Sequence, residues 1–583
     1  MAYRAPVKDL AFALFEAAGL DRLQPHVEGL DTDMVEAVLE AAGALAADVL
    51  APLNRIGDIQ GARLENGKVI SPDGFIAAYK AFAEGGWSSL AADPAFGGQG
   101  LPRAIELAVF EMVNAANMAF ALCPILTQAA IEAIAAHGTE RQKALYLPKL
   151  VSGEWTGTMH LTEPQAGSDL GAIRTLASPS GDGGWTIKGE KIFITWGGHD
   201  LTDNVVHMIL ARTPGAPEGS RGLSLFLAPQ RMMAEDGTLG EANTLRPASL
   251  EHKLGIHASP TCVMLYEDAR AELVGEINQG LPEMFTMMNA ARVGVGVQGV
   301  GIAEGAYQHA LAYARERRQG RSDWSADRPA AVYDHPDVRR MLVLMKAKIE
   351  AARAICLAAG VAADLAHLAA DPAERRAAGL RAELLTPIAK AWSTDVGVEV
   401  ASLGVQVHGG MGFIEETGAG QYYRDARIAP IYEGTNGIQA IDLVGRKLPM
   451  EGGEPVRALL AEIKAIGPAL NANPALTGLA ERLAAGVAAV EQASAWLLAH
   501  PGAEAQAGAV AYLTLFGDVL GGFMLAKGAL AAGRRQAAGE DSAWLAGKLG
   551  LAQVYADHVL TAAPGLAATV AQDTAALKAV ELE

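Results

Sequence analysis

Apolar residues recur with two different periods along this chain, and the changes of period divide it into blocks. Residues 1–158 alternate helical stretches with short loops, among them the glycine-rich turn Asp93-Pro-Ala-Phe-Gly-Gly-Gln-Gly-Leu101. Near Trp155 the pattern shortens to β segments between turns, such as GGWTIKGEKIFITWGG, VVHMILAR and RGLSLFLAP. Thr186, Ile187, Ile192, Phe193, Ile194 and Thr195 give the first of these the β-branched and aromatic content of strands. The block reads as a compact sheet or barrel, and Val274-Gly-Glu-Ile-Asn-Gln-Gly280 closes it as a loop. Long Ala/Leu/Val-rich helical stretches then return through 292–318, 335–370 and 378–403, with a loop at 322–334. Long helices on short connections predict an antiparallel bundle. Beyond Pro449 and Gly452-Gly453 a further Ala-rich helical block runs to 583.

Positions 292–301, RVGVGVQGVG, contain Gly294-x-Gly296-x-x-Gly299, the spacing of a dinucleotide-binding turn. Such a turn closes a β-strand. Here the preceding residues, Leu281 to Arg292, are rich in Met and Ala, which is helix-forming composition. The pattern predicts one long helix whose glycines let another element approach closely.

Composition narrows the class. With 583 residues the length suggests three to five domains or subdomains, and 50% hydrophobic content supports a large core. A net charge of −19 opposes nucleic acid and anionic membrane as partners. Cys123, Cys262 and Cys356 are widely spaced without a CxxC, so neither a disulfide frame nor a zinc site is expected, and the compartment reads as reducing and cytoplasmic. Lys8, Asp9 and Glu16 interrupt the apolar N-terminus, which is not read as a signal peptide. The most apolar region, 505–533, has Asp518 at its centre and is expected to be a buried helix rather than a membrane span.

Four stretches carry candidate chemistry. Leu161-Thr-Glu-Pro-Gln-Ala-Gly-Ser-Asp169 can present backbone N–H groups and hydroxyls to a polar ligand, or be an ordinary Asx or Pro turn. In Lys191-Ile-Phe-Ile-Thr-Trp-Gly-Gly198, strand alternation puts Phe193 and Thr195 on one face, which would suit a flat ring or a half-buried strand equally. Gly404-Val-Gln-Val-His-Gly-Gly-Met-Gly-Phe413 offers Gln406 and a close backbone approach at Gly409-Gly410, or a helix cap and turn. Ile431-Tyr-Glu-Gly-Thr-Asn-Gly-Ile-Gln439 places Glu433 in a loop before a helix that Thr435 or Asn436 would cap. His408 is not read as a metal ligand, because the histidines contain no HxH or HExxH.

Together these stretches resemble the acyl-CoA dehydrogenase family over residues 34–448, with LTEPQAGSD and IYEGTNGIQ as its most specific pair. The resemblance implies an α+β, mainly α fold: a helical N-terminal domain (34–158), a middle β-barrel (159–275) and a C-terminal four-helix bundle (281–448). The N-terminal extension (1–33) and the additional helical domain (455–583) resemble the family's long subfamily, which includes 3-methylmercaptopropionyl-CoA dehydrogenase.

The same resemblance implies site roles. Glu433 matches the catalytic base. FAD is expected between barrel and bundle, near Met159, His160, Leu161, Thr162, Ser168, Phe193, Thr195 and Thr435. Arg317, Gln406 and Gly410 match positions that reach the adenosine half of FAD in a partner subunit, so a homodimer or dimer of dimers is implied. Ser168, Arg292, Tyr432 and Gly434 match the substrate side. Three positions depart from the family pattern, Gly320, Pro336 and Gly437, which bears on the adenosine end. The implied reaction is α,β-dehydrogenation of an acyl-CoA, with electrons passed to electron-transferring flavoprotein rather than oxygen. Methylthiopropionyl, short to medium straight and aryl-propionyl chains all fit. A flavin-bearing DNA-binding relative would need a basic C-terminal region, whereas residues 449–583 carry 8 Lys/Arg against 13 Asp/Glu. The base is expected to be ionised when free, helped by the neighbouring helix N-terminus, and to rise in pKa once the acyl chain seals the site.

Overall fold

The computed structural model describes residues 3–582 except 182, 235, 237 and 541. The chain begins with α1 (Val7–Phe12), which continues as a π-helical turn over Ala13–Ala18. Then come α2 (Thr32–Leu45), α3 (Ala51–Gln60), the hairpin β1 (Arg63–Glu65) and β2 (Lys68–Ile70), α4 (Phe75–Glu84), α5 (Arg103–His137) and α6 (Glu140–Val151). The hairpin corrects the expectation of an all-helical block. Its turn is Asn66-Gly67, both with positive φ, and this pair is a strong short-range hairpin signal. α5 breaks at Asn117, where φ/ψ leave the helical region. The freed Asn117 side chain accepts a bond from Phe120 N–H.

The barrel is built from β3 (Thr156–His160), β4 (Leu176–Pro179), β5 (Trp185–Thr195), β6 (Val205–Arg212), β7 (Leu223–Pro229), a small ribbon β8 (Arg231–Met233) and β9 (Leu239–Ala242), then β10 (Leu245–Leu250) and β11 (Thr261–Val274). Pairing closes a ring: β11 joins β5 and β7, β7 joins β6, β6 joins β4, and β4 joins β5. β3 lies parallel on β6, and β10 adds to β11. Closure leaves the core strands no free edge.

α7 (Gly280–Glu316), α8 (Pro336–Leu368) and α9 (Pro372–Val407) are the long bundle helices, followed by the short α10 (Ala419–Ala426) and α11 (Asn436–Asp442). The RVGVGVQGVG run lies wholly inside α7, as its composition predicts. Gly296 and Gly299 face α9, and Gly294 and Gly301 face α5. A Cβ on Gly296 would stand 2.5 Å from Ala389 O, and one on Gly299 2.5 Å from Ser393 O and 2.7 Å from Thr394 Cα. The two backbones are therefore in contact, and Gly299→Ala is expected to destabilise the fold by about 1–3 kcal/mol, an overpacking effect read as a lower unfolding midpoint.

The last block comprises α12 (Glu454–Ala465), α13 (Gly467–Asn471), α14 (Thr477–Ala499), α15 (Ala503–Ala537), α16 (Ala543–His558), α17 (Ala563–Val570) and α18 (Ala575–Ala579). α15 lies against α8, α9 and α11. Gly517 makes room for Trp392, whose indole N–H donates to Asp518 Oδ1 at 3.0 Å. Burial pushes the Asp518 carboxyl up to about 7. Among the described residues, two helices, α5 and α15, are long and apolar enough to cross a membrane, and 89% and 83% of their apolar windows are buried inside the protein.

A buried ionic network ties the blocks together. Arg353 of α8 bonds Glu111 of α5 at 2.9 Å and Glu304 of α7 at 3.0 Å. Asp9 of α1 accepts from Lys346 of α8 and Lys548 of α16, each at 2.8 Å. The N-terminal extension is thus held between bundle and last block, with Phe12 edge-on to Trp544 at 5.1 Å.

Candidate active site

Glu433 occupies the loop between α10 and α11. It has φ +55, and Gly434 follows with φ +80. A non-glycine residue in the left-handed region is uncommon, and such strain gathers at functional sites. Bonds on both sides hold the loop. Asn436 N–H donates to Pro430 O at 2.9 Å. The Asn436 amide bonds Ala391 O, Thr394 Oγ1 and Asp395, and accepts from Lys390 Nζ at 2.8 Å. Thr435 caps α11 by accepting from Ile438 N–H at 3.2 Å. Gln439 reaches back to Glu433 O at 3.4 Å.

Two cations flank the carboxylate, Arg292 from α7 and Lys390 from α9. Burial raises the Glu433 pKa above the ordinary carboxylate value, and these cations oppose the rise. The lowering expected from the neighbouring helix N-terminus is therefore outweighed by burial. α11 has only seven residues, and its terminus does not offset desolvation. Lys390 is buried in turn and held near 8 by that burial, with Glu433 pulling it back up. Sequence reading missed Lys390. The only signal was a lone cation in the apolar run Pro387-Ile-Ala-Lys-Ala-Trp392.

Arg292 is buried, donates to Asn289 Oδ1 at 3.0 Å and lies over the Phe285 ring at 5.6 Å. Its Nε has no partner among the described residues. These three residues line a cavity of about 1110 Å³ that extends to Arg446 and to the 93–101 loop. The glycine-rich loop of the N-terminal block is thus a wall of this cavity, whose lining reaches Arg292 but does not include Glu433.

On the barrel side, the LTEPQAGSD loop is fastened from below. Lys191, fully buried, donates to Leu161 O at 2.8 Å and to Glu163 Oε1 at 3.0 Å. Burial opposes ionisation of Glu163, but Lys191 and the bonds from Thr175 and Arg174 outweigh it and hold it near 2. Leu161 and Thr162 are half-buried and Ser168 is exposed above this anchor. Thr162 O accepts Ile192 N–H at 2.9 Å, and Thr158 Oγ1 donates to Thr195 O at 2.7 Å, so the loop, Phe193 and Thr195 sit side by side. A register shift in the β5–β11 pairing turns Phe193 outward with φ +59 and 57% exposure. Trp196 is also left-handed, with φ +52. Aromatics at positive φ are genuine outliers. Met159 is buried. His160 is fully buried, bonded to the Tyr266 hydroxyl and to His207 at 2.9 Å, which leaves its ring no access to a ligand.

Arg317, Gln406 and Gly410 form a separate exposed corner. Tyr313 and His408 stack there at 4.5 Å, and Phe413 is 90% exposed. Arg317 stands 25 residues beyond Arg292, about 37 Å along α7 at the usual helical rise. The chain does not bring this trio to Glu433.

Family models match the chain in series: the acyl-CoA dehydrogenase N-terminal domain over 32–154, middle domain over 158–269 and C-terminal domain over 278–448, then an acetyl-CoA dehydrogenase C-terminal-like domain over 457–581. The chain is 50% identical over 568 residues, 96% of each sequence, to 3-methylmercaptopropionyl-CoA dehydrogenase of Ruegeria pomeroyi. It belongs to the acyl-CoA dehydrogenase family. Solved relatives share the fold. An acyl-CoA dehydrogenase from Bacillus anthracis complexed with FAD covers 94% of this chain and 90% of its own, with TM-score 0.76 and 21% identity. A chain from the electron transferring flavoprotein structure of Acidaminococcus fermentans covers 72% and 98%, with TM-score 0.59 and 26% identity.

This acyl-CoA dehydrogenase is an oxidoreductase acting on CH–CH groups, and the family's cofactor is FAD. The residues present fit that group. An aromatic and a hydroxyl stand together on the barrel, held outward by strained backbone with apolar surface uncovered. Beside Glu433, Arg292 Nε and Gln439 Oε1 are buried without partners among the described residues, as groups that meet a ligand would be.

Proposed function

We propose that Glu433 is the base that takes the α-proton of a bound acyl-CoA. The observation carrying this reading is the half-buried carboxylate on a left-handed loop, flanked by Arg292 and Lys390. Bound FAD supplies the hydride acceptor for the β-carbon hydrogen. The chain's own groups do the rest. Arg292 and Asn289 guide the CoA arm into the cavity, and the raised pKa makes Glu433 a stronger base than a free carboxylate. The Glu433 backbone N–H is a donor for the thioester carbonyl, where charge develops as the proton leaves. Leu161, Thr162, Ser168, Phe193, Thr195 and Thr435 would hold the flavin half of FAD.

The exposed Arg317–Gln406–Gly410 corner lies too far along α7 to serve the same cofactor in one chain. This supports a homodimer in which each subunit's corner completes its neighbour's FAD site. The 50% identity to the Ruegeria enzyme supports 3-methylthiopropionyl-CoA as the acyl substrate. Electron-transferring flavoprotein is the proposed acceptor, and the cytoplasm and acyl-chain β-oxidation the proposed setting.

An anaerobic titration with a panel of acyl-CoAs tests the reading. Bleaching of the oxidised flavin band is expected with 3-methylthiopropionyl-CoA and weaker bleaching with butyryl-CoA. An unbleached, FAD-loaded protein across the panel would sink it.

The charge arrangement sets a pH dependence. The base works when ionised, and its folded pKa lies above the ordinary carboxylate value, so kcat/KM should fall as pH drops through that raised value. Lys390→Met removes a cation that lowers it. The acidic limb is then expected to move to higher pH, and an unmoved limb would show that Lys390 does not act on the base.

A further inference from the structure

We infer that Gln298, from the glycine run of α7, is a positioning residue for the base loop, acting through Tyr432. This rests on Glu433 being the base.

Gln298 lies between Gly296 and Gly299, the two residues that bring α7 into backbone contact with α9. It is fully buried beneath the loop, and its amide oxygen accepts the Tyr432 hydroxyl. Tyr432 is half-buried and immediately precedes Glu433. On the other side, Asn436 is tied to Lys390, Ala391, Thr394 and Asp395 of α9. The left-handed Glu433–Gly434 pair is therefore stretched between two polar anchors, one on each helix of the glycine-mediated contact. A left-handed conformation at a non-glycine residue persists only where its surroundings over-determine it. Cutting the Tyr432 anchor leaves that side held only through the backbone, by the Tyr432 N–H bond to Ile428 O at 3.2 Å, and the carboxylate loses its aim.

Gln298 is an unlikely choice for stability alone. Its Nε2 has no partner among the described residues. A buried amide left half-satisfied costs stability; Leu at 298 removes that cost but strands the Tyr432 hydroxyl, and only with Tyr432→Phe beside it are both partners apolar and the change near neutral. Position and stability are therefore separated in the double variant. A merely structural pair, once removed, lowers the unfolding midpoint in step with activity. A positioning pair gives a protein of wild-type midpoint that is slow.

The experiment uses the FAD-loaded enzyme and an acyl-CoA that bleaches the wild type. Gln298→Leu is expected to lower the rate of flavin reduction by about 100-fold, the penalty of a base misplaced by roughly 1 Å. FAD content is unchanged, the double variant with Tyr432→Phe keeps the wild-type unfolding midpoint, and the isotope effect with α-deuterated substrate rises because proton removal has become slower. Tyr432→Phe, which leaves the α7–α9 contact untouched, gives the same loss. The double variant is no slower than either single one, because both cut the same anchor. A rate within twofold of wild type for Tyr432→Phe, or a double loss equal to the product of the single losses, overturns the inference. Glu433→Gln is run beside them. If that variant turns over normally, the base assignment itself fails, an outcome separate from any result at Gln298.

Discussion

Replacing Glu433 with glutamine is expected to lower flavin reduction by about 10,000-fold, the upper end of what a positioned general base contributes. The amide is isosteric and keeps the loop's backbone, its φ of +55 and the Asn436 and Gln439 contacts. FAD and acyl-CoA binding should therefore persist. Binding of acyl-CoA, followed by the shift of the flavin spectrum without bleaching, separates lost chemistry from lost binding. Turnover at the wild-type rate would refute the assignment. Arg292 and Lys390 remain facing a neutral side chain in the variant, so both lose a partner that favours their charged forms.

The second large effect is on stability. Arg353→Met removes the cation shared by Glu111 and Glu304, both buried. Breaking a buried pair from one side typically costs about 3–5 kcal/mol, because the stranded charge keeps its desolvation penalty. Here Glu111 is stranded, while Glu304 keeps Lys346 at 3.6 Å. Burial already holds Glu111 above the ordinary value, whereas Lys346 and Arg353 hold Glu304 below it; without Arg353 both move upward in the folded state. A carboxyl raised on folding supports the fold at low pH and ceases to as pH climbs through the folded pKa. The deficit against wild type is therefore expected to be smaller at pH 5 than at pH 8. Chemical denaturation at the two pH values checks both size and sign, and a deficit under 1 kcal/mol at pH 8 would show that the network contributes little.

The legible parts of this protein are those that depend on local composition. Met and Ala before Gly294 distinguished a helix from a nucleotide-binding turn, and α7 runs unbroken through the glycines. Asp518 at the centre of 505–533 marked a buried helix, and the aspartate is bonded to Trp392 inside the protein. The Asn66-Gly67 turn was legible in principle, but the strands beside it are three residues each and carry little alternation.

The chemistry followed a different course. Glu433 stood out as the candidate base because it sits in a distinctive run of residues, IYEGTNGIQ. Strand period predicted Phe193 and Thr195 on one face, whereas a register shift and the left-handed Phe193 interrupt that period in the structure. What surrounds Glu433 comes from elsewhere in the chain. Lys390 is 43 residues away, Gln298 135 and Arg292 141, each on a helix whose sequence shows only apolar packing. Their distances to the loop depend on how closely α7 and α9 approach, and no pattern within either helix records that.

By itself, then, the sequence determined the order of helical and β blocks, the candidate for the base and the family, because local preferences and contiguous motifs are written in consecutive residues. Only the tertiary structure decided the sign of the base's pKa shift, the left-handed loop that aims it and the anchors that hold it. Those follow from burial and from charges brought together across the fold, and desolvation is a property of the packed molecule, absent from any one segment.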